Sequence, residues 1–407
     1  MNEGNSESDS PDGAKYPSLQ FLTEFQSHEP EFNFQKTLEI SEKVTSIEWI
    51  NLGYNGFNPQ LITTNDKVIK LFQIKTNKYL DIIIEEEEAK DLDGHMSSVK
   101  QLELQNQLII PSFPKQKKMD QLDEGIKLRN TYINGHSYHI HSVSQSYDQE
   151  CFLSADDITI NLWNIEDKSK SYNILNIQPA NIQDLQEVIT HVEFHPIKSL
   201  EFIYSSSKGY FKICDMRTNM NVSDSSITIN TTDEVGRANE YSEIINSCTW
   251  ASFVKGESQY EAISRDFCSI KLWDIRMPNQ PIKKYLVNDY VEDKLAQLYS
   301  NDCIFDRFDL KQNYTGNLLS TGGYNRSFQV IDQHNNQNVT LLANAEMKRF
   351  QSSQIVRKYQ DQSGKLSSPL WEGQSINFDE KVLHTSWHPH ENRLAVASSS
   401  CIFLYSQ

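Results

Sequence analysis

The feature that most constrains the fold of this chain is a short unit that recurs along it. In the clearest copy, residues 153–165 have the sequence LSADDITINLWNI, a turn with two aspartates followed by apolar residues at every second position. Alternation with a period of two is typical of a strand with one buried face, and the turn before it predicts a hairpin. Imperfect copies stand at residues 63–74, 205–216, 263–275, 320–332 and 397–407. Six copies identify a repeat protein.

Each copy follows another apolar stretch, so that a pattern of strand, strand, turn and strand recurs. The triplets cover residues 43–74, 136–165, 187–216, 243–275, 301–332 and 381–405. Their third strands are evenly spaced, since Cys214 follows Trp163 by 51 residues and Trp273 follows Cys214 by 59. A period of this length made of strands alone predicts an all-β propeller of four-stranded blades rather than a helical solenoid.

The repeats also set the predicted domain organisation. A chain of 407 residues would ordinarily suggest two or three domains, but a repeat array can close into one. We therefore expect a single propeller domain over residues 21–407, with an inserted arm at about 75–130 and long polar loops at about 218–240 and 333–380. Residues 1–20 are polar and acidic, and we expect a disordered tail there because they offer little apolar surface to bury.

Charge and targeting signals limit the classes of partner. The chain has 38 Lys and Arg against 55 Asp and Glu, a formal net charge of −17, so nucleic acid is not an expected partner. Neither a signal peptide nor an apolar run of membrane-spanning length is present, which favours the cytoplasm, with the nucleus as a second location, and excludes a membrane partner. The acidic run Glu85 to Glu88 is either a solvated loop or a surface that meets a basic partner.

Motifs for catalysis or metal binding are missing from the sequence. It has no P-loop, HExxH, GxSxG or CxxC motif, and the six cysteines are expected to be reduced and structural. His139 and His141 would lie on one face of a strand, either as the start of a metal site or as ordinary strand histidines. Asp156 and Asp157 could accept turn hydrogen bonds or contact a substrate. We therefore predict a protein without enzyme activity, metal or cofactor.

Several longer segments carry a resemblance to a known family. They are FQSHEPEF (25–32), TTNDKVIKL (63–71), SADDITINLW (154–163), IQPANIQDLQEVIT with EFHP (177–196), YSSSKG and CDMR (204–217), YSEII (241–245), NDCIFD (301–306) and LHTSWHP (383–389). In these, the chain resembles the WD-repeat regulatory B subunit, 55-kDa class, of type 2A serine/threonine protein phosphatase. The resemblance implies a noncatalytic subunit that forms a heterotrimer with a scaffold (A) and a catalytic (C) subunit and selects phosphoprotein substrates with basic segments.

The resemblance also implies the residues of a substrate platform on the top face of the propeller. The residues that match the family's platform are His139, Asp157, Leu185, Tyr299 and Arg307. Leu185 lies in the stretch ANIQDLQE, a predicted helical loop, where it either grips a substrate segment or belongs to a local core. Arg307 stands where the family has lysine, so the positive charge is kept.

Two expectations concern parts of the chain where the match is incomplete. In the family, the inserted region forms an arm that reaches the scaffold, and its match here, LIIPSF (108–113), makes Pro111 and Phe113 the expected scaffold contacts. Family members also place roughly sixty more residues at the start, including the inner strands of the first blade. We therefore expect a propeller of the seven-bladed type with six complete inner-strand triplets and an incomplete N-terminal blade, of which residues 16–27 match the outer strand.

Two other classes remain as alternatives. One is a generic WD-repeat scaffold of another intracellular complex, and the other is a propeller enzyme with a site in the central channel. Copurification with a phosphatase catalytic subunit would favour the regulatory role, whereas turnover by the isolated chain would favour the enzyme.

Overall fold

The computed structural model describes most of the chain in separate stretches. These are residues 25–28, 44–50, 59–74, 125–168, 170–218, 227–232, 240–256, 259–288, 291, 294–343, 356–357, 359–360, 366–367, 377–398 and 401–406. The predicted tail (1–20), most of the predicted arm with Pro111 and Phe113, and the acidic run Glu85 to Glu88 lie outside these residues.

The described residues form strands almost throughout. In chain order they are β1 Ser46–Ile50, β2 Gln60–Thr64, β3 Ile69–Ile74, β4 Ile126–Tyr132, β5 Ser142–Gln145, β6 Cys151–Ala155, β7 Thr159–Asn164, β8 Ser171–Asn176, β9 Ile189–Phe194, β10 Glu201–Ser206, β11 Tyr210–Asp215, β12 Ile227–Asn230, β13 Trp250–Phe253, β14 Glu261–Arg265, β15 Ser269–Asp274, β16 Lys283–Leu286, β17 Leu310–Gln312, β18 Leu318–Gly322, β19 Ser327–Asp332, β20 Gln337–Leu342, β21 Val356–Arg357, β22 Tyr359–Gln360, β23 Leu366–Ser367, β24 His384–Trp387, β25 Arg393–Ser398 and β26 Cys401–Ser406. The helical elements are α1 Ser242–Ile245, α2 Leu295–Ser300 and two 3-10 helices, Ile182–Asp184 and Cys303–Phe305.

The strands form six antiparallel blades arranged as a propeller. Blades one to four are β1–β4, β5–β8, β9–β12 and β13–β16, blade five is β17–β21, and blade six is β24–β26, while β22 pairs only with β23. The predicted all-β class and the six triplets of strands are confirmed. In blade two, for example, Phe152 pairs with Trp163 and Ser154 with Asn161, which gives the hairpin predicted from the alternating apolar residues.

Four-stranded blades were predicted, but the positions of the fourth strands were not. β12 and β20 lie inside segments 218–240 and 333–380, which the sequence analysis assigned to polar loops, so that assignment was wrong for these residues. The physical reason is that the fourth strand of a blade is only partly covered. In β20, QNVTLL, the one buried residue is Thr340, so the strand has no marked apolar face. Of the residues predicted to match an outer strand, 16–27, only 25–27 are described, and they form no strand.

The hydrophobic core lies between neighbouring blades. One cluster packs Ile62 and Leu71 of blade one against Phe152 and Trp163 of blade two. Further clusters join blades two and three, three and four, four and five, and five and six in the same way. Burying a side chain of this size contributes about 1.5 to 3 kcal/mol, so contacts between neighbouring blades contribute much of the stability of the propeller.

A hydrogen-bonded cluster of four side chains ties the turn of blade two to its strands. His136 Nδ1 lies 3.0 Å from Asp156 Oδ2, and His136 Nε2 lies 2.6 Å from the Ser154 hydroxyl. The same hydroxyl accepts a hydrogen bond from Trp163 Nε1 at 2.8 Å. Asp156 Oδ1 also accepts the backbone N–H groups two and three residues later, at 2.8 and 2.5 Å. This fully buried aspartate fixes the turn that exposes the next residue, Asp157.

The strand order defines two faces of the propeller. Because successive strands within a blade are antiparallel, the turn between its second and third strands and the loop that leads to the next blade emerge on the same side, called here the top face. On blade two these are turn 156–158 and loop 177–188. The bottom face holds the remaining connections, from the first strand to the second and from the third to the fourth.

Candidate functional site

The topology places all five residues of the predicted platform on the top face. Asp157 lies in the turn between β6 and β7, and the other four lie in loops that connect one blade to the next. His139 precedes β5, and Leu185 precedes β9. Tyr299 and Arg307 precede β17, on either side of a 3-10 helix.

Two of these residues contact each other directly. Arg307 Nη2 lies 3.6 Å from Asp157 Oδ1, and the side chains are 42% and 32% exposed. The backbone at Asp157 is also fixed, because its carbonyl accepts a hydrogen bond from Ile189 N of blade three at 2.8 Å. The loop before blade five therefore brings a cation to the turn of blade two, and both charged groups stay open to solvent.

His139 contacts blade one instead. Its Nδ1 lies 3.1 Å from Asp66 Oδ1, and Ile140 N donates to the Asp66 carbonyl at 2.9 Å. The prediction that His139 and His141 share a strand face was wrong, because β5 begins only at Ser142. Contacts with the neighbouring blade hold this stretch in an irregular conformation.

Leu185 directly follows the 3-10 helix Ile182–Asp184, which confirms the predicted helical loop. Its side chain is half-buried, while Ile182 is 49% exposed. Glu187, two residues later, accepts hydrogen bonds from the hydroxyls of Tyr210 and Ser206, at 2.5 and 3.1 Å. The loop is thus anchored to blade three, and Ile182 and Leu185 give it partly exposed apolar surface.

Tyr299 is part of an exposed aromatic group on the same face. Its ring centroid lies 5.3 Å from that of Tyr241 and 6.1 Å from that of Phe305. Tyr299 and Phe305 are 49% and 54% exposed. Aromatic side chains that remain this open in a folded protein are typical of surfaces that bind a partner.

Two titratable groups close to the pair of Asp157 and Arg307, His141 and Asp156, have shifted pKa values. Burial, and then the positive charge of Arg307, lower the pKa of His141 to about 3, so this imidazole is neutral at neutral pH. Burial raises the pKa of Asp156, but the hydrogen bond from His136 and those from the turn amides outweigh it and lower the pKa to about 2. Of the two neighbouring aspartates, Asp156 is therefore a structural anion in the turn, and Asp157 is the one that can meet a partner.

Two further residues of this face, Asp66 and Phe305, were not predicted from the sequence. Asp66 occupies the position in TTNDKVIKL that Asp157 occupies in SADDITINLW, so an alignment of the repeats could have found it. Asn65 caps its turn as Asp156 does, with Oδ1 2.8 Å from Val68 N. Phe305 carries no comparable signal, because an exposed phenylalanine cannot be told from a buried one by sequence alone.

The described residues give no sign of a metal site, a disulfide or a membrane-spanning helix. Within them, no group of three or more His, Cys, Asp or Glu side chains is placed to hold a metal ion. The six cysteines are free. No helix in the described part of the chain has the length and apolar character needed to cross a membrane.

Comparison with known proteins agrees with the blades and their hydrogen-bonded turn. The family model for the WD domain, G-beta repeat, matches residues 127–164, the stretch that contains the cluster of His136, Ser154, Asp156 and Trp163. The fold is therefore that of a WD-repeat β-propeller.

The chain is also similar to a solved structure, Raptor from Chaetomium thermophilum, with a TM-score of 0.50 and 14% identity. The match covers 89% of this chain and 24% of that one. It spans about a quarter of Raptor, and the likeness concerns the fold alone.

A relative of known class identifies the family of WD-repeat proteins to which the chain belongs. The chain is 38% identical over 381 residues to the beta isoform of the 55 kDa regulatory B subunit of serine/threonine-protein phosphatase 2A from Carassius auratus, covering 94% of this chain and 83% of that protein. The chain belongs to the family of 55 kDa regulatory B subunits of protein phosphatase 2A. Membership supports a regulatory role and association with the phosphatase complex.

Proposed function

We propose that this chain is a noncatalytic subunit that binds the scaffold and catalytic subunits of protein phosphatase 2A and selects phosphoprotein substrates with its top face. The observation that supports substrate selection most is the contact between Asp157 and Arg307, two charged side chains from separate blades that remain accessible. Membership of the family of regulatory B subunits is the reason for proposing protein phosphatase 2A as the enzyme that the chain regulates. We further propose the cytoplasm as its location, with the nucleus as a second location.

The top face suits a substrate segment that carries both basic and apolar residues. Asp157 can accept a hydrogen bond from arginine or lysine, and charge-assisted contacts of this kind are the stronger ones. Leu185 and the aromatic group of Tyr299 offer apolar surface on the same face. His139 can add a polar contact. A substrate would thus be held by a few anchors, with a phosphorylated site elsewhere in the protein delivered to the catalytic subunit.

The bottom face offers a surface for docking on the scaffold. Its connections expose large apolar side chains from blades two to five, namely Tyr147, Leu200, Tyr260, Met277 and Tyr314. Contacts join these connections across blades, since the Ser146 hydroxyl donates to the Ser199 carbonyl at 3.3 Å. Several large apolar side chains exposed on one face favour a protein-binding surface there. Binding the scaffold there would leave the top face free for substrates. Pro111 and Phe113 remain the proposed contacts of the arm.

The backbone between blades four and five shows how closely the bottom-face connections pack. Gly316 has a φ of 78°, and a Cβ there would come within 1.7 Å of the Lys255 carbonyl oxygen. Only glycine fits this position without a shift of the backbone. The two connections therefore form one continuous surface rather than separate loops.

Assembly from purified components tests this proposal. The chain is expected to form a stable complex with the scaffold and catalytic subunits, and a variant with Tyr260→Ser and Tyr314→Ser is expected to assemble more weakly. Tyr172→Ser is the matched control, because Tyr172 is 56% exposed but lies on the outermost strand β8. Failure of the wild-type chain to bind the phosphatase subunits would contradict the proposal and favour a scaffold of another complex.

A further inference from the structure

A short segment, residues 306–309, carries Arg307 to the top face and is held on both sides of it. On the N-terminal side, Lys381 Nζ lies 2.6 Å from Asp306 Oδ1. On the C-terminal side, Phe308 is only 2% exposed. Arg307 therefore projects from a segment whose neighbouring residues are fixed.

The C-terminal side of the segment rests on a buried arginine of blade four. Arg265 is 1% exposed, and its guanidinium lies 4.8 Å from the ring centroid of Phe308. Its Nη1 donates to the carbonyl of Asp309 at 3.3 Å and to the hydroxyl of Thr321. That hydroxyl in turn donates to the same Asp309 carbonyl at 2.8 Å. One guanidinium thus contacts the two residues that follow Arg307.

The repeats indicate that the blade itself does not require this arginine. Arg265 ends the second strand of blade four, and the equivalent positions are Ala155 in blade two and Gly322 in blade five. A buried charge is costly unless hydrogen bonds and ion pairs offset its loss of water. The other three blades also have a small uncharged residue there, Thr64, Ser206 and Ser398. The presence of an arginine in blade four alone among these positions points to the contacts that it makes with the segment before blade five.

We propose that Arg265 is a positioning residue for substrate recognition, which fixes the backbone at Phe308 and Asp309 so that Arg307 is presented beside Asp157. This inference rests on the substrate role proposed for the top face. Binding a substrate must order the Arg307 side chain, which has many rotamers. When the backbone is already fixed, this side-chain entropy is the only conformational entropy that Arg307 loses on binding. Loosening the backbone therefore weakens binding without removing any group that touches the substrate.

Hydrogen–deuterium exchange on the isolated chain tests the clamp without any substrate. Arg265→Gln is expected to speed exchange in the peptide that covers residues 303–312. Arg129→Gln is the matched control, because it removes an arginine of the outermost strand β4, paired with Glu166 at 3.4 Å, and should leave this peptide unchanged. Thr321→Val, which removes only the bridging hydroxyl, is the second variant in case Arg265→Gln disturbs blade four. Wild-type exchange in both variants would overturn the proposal.

Binding to the assembled phosphatase then tests whether Arg265 acts through Arg307. The probe is a fluorescent synthetic phosphopeptide that carries several arginine and leucine residues. Arg265→Gln is expected to weaken its binding by about five- to thirtyfold, the cost of fixing the backbone of one more residue. In an Arg307→Ala background the same change should cause no further loss, because nothing is left to position.

The two measurements separate failure of this inference from failure of the proposed function. Equal losses from Arg265→Gln in both backgrounds would mean general damage to the fold and would overturn the positioning role. Wild-type binding by Arg307→Ala would instead contradict the proposed substrate role of the top face, and the positioning role would fall with it. Faster exchange in residues 303–312 would then still support the clamp as a structural feature.

Discussion

Arg307 and Asp157, which are 150 residues apart in the sequence, meet at 3.6 Å between Nη2 and Oδ1 on the top face. Both side chains are partly exposed, so their attraction contributes under about 1 kcal/mol to the stability of the fold. A pair of this kind can exchange partners, because a basic group of a bound protein can form an ion pair with Asp157 and an acidic or phosphate group can form one with Arg307. Their meeting is better explained by binding than by stability.

The neighbouring aspartates of blade two should differ sharply in their effect on stability. Asp156→Asn is expected to lower the free energy of unfolding by about 2 to 3 kcal/mol, because the buried carboxylate bonds His136 and two backbone amides. Asp157→Asn is expected to change it by less than about 1 kcal/mol. Urea unfolding of both variants checks this. Equal losses would show that the turn depends on both side chains.

Leu185 should contribute to substrate affinity and not to folding. Leu185→Ala is expected to weaken substrate binding by about 1 to 3 kcal/mol, the range of an apolar anchor at an interface. Leu128→Ala is a matched control, since Leu128 is 37% exposed on the outermost strand β4. The measurement is the Kd of the assembled enzyme for a substrate, together with the thermal midpoint of each variant. A stability loss with unchanged Kd would make Leu185 a core residue.

Acid should destabilise the chain partly through His141. Its pKa in the folded chain is about 3, against 6.5 for an ordinary histidine. As the pH falls below about 6.5, the unfolded chain binds a proton that the folded chain does not. Stability should therefore fall by up to about 1.4 kcal/mol per pH unit until the pH nears 3.

Replacing His141 isolates its share of this pH dependence. His141→Gln should give a shallower fall in stability than the wild type when urea unfolding is compared at about pH 7, 6 and 5. Parallel curves for the two proteins would show that burial of this imidazole does not govern the acid response.

The sequence sufficed for the framework of the fold because the framework depends on a local pattern. The turn at Asp156 and the alternation up to Trp163 recur in each blade, and each copy became the hairpin that the pattern predicts. The positions of the fourth strands escaped prediction because a strand such as β12 has only four residues and buries one of them, which is too short a pattern to separate it from a loop. The start of β5 was misplaced because contacts with blade one, at Asp66, decide where its pairing begins.

The candidate site depended on the family resemblance far more than on pattern. Repeats could distinguish Asp156 from Asp157 only by position, whereas the structure separates them by burial and by the partner of each. The approach of Arg307 to Asp157 could not be predicted, because it depends on the path of the loop before blade five. The same is true of the positioning role proposed for Arg265, which rests on the packing of its guanidinium against Phe308.

The most direct test of substrate selection is the rate at which a dependent phosphoprotein is dephosphorylated by the scaffold and catalytic subunits with and without this chain. The wild-type chain should accelerate the reaction. Asp157→Lys places a positive charge beside Arg307 and opposite a basic substrate segment, and it should reduce the rate by at least about tenfold while assembly remains intact. Wild-type rates from fully assembled Asp157→Lys enzyme, or no acceleration by the wild-type chain, would contradict the role proposed for the top face.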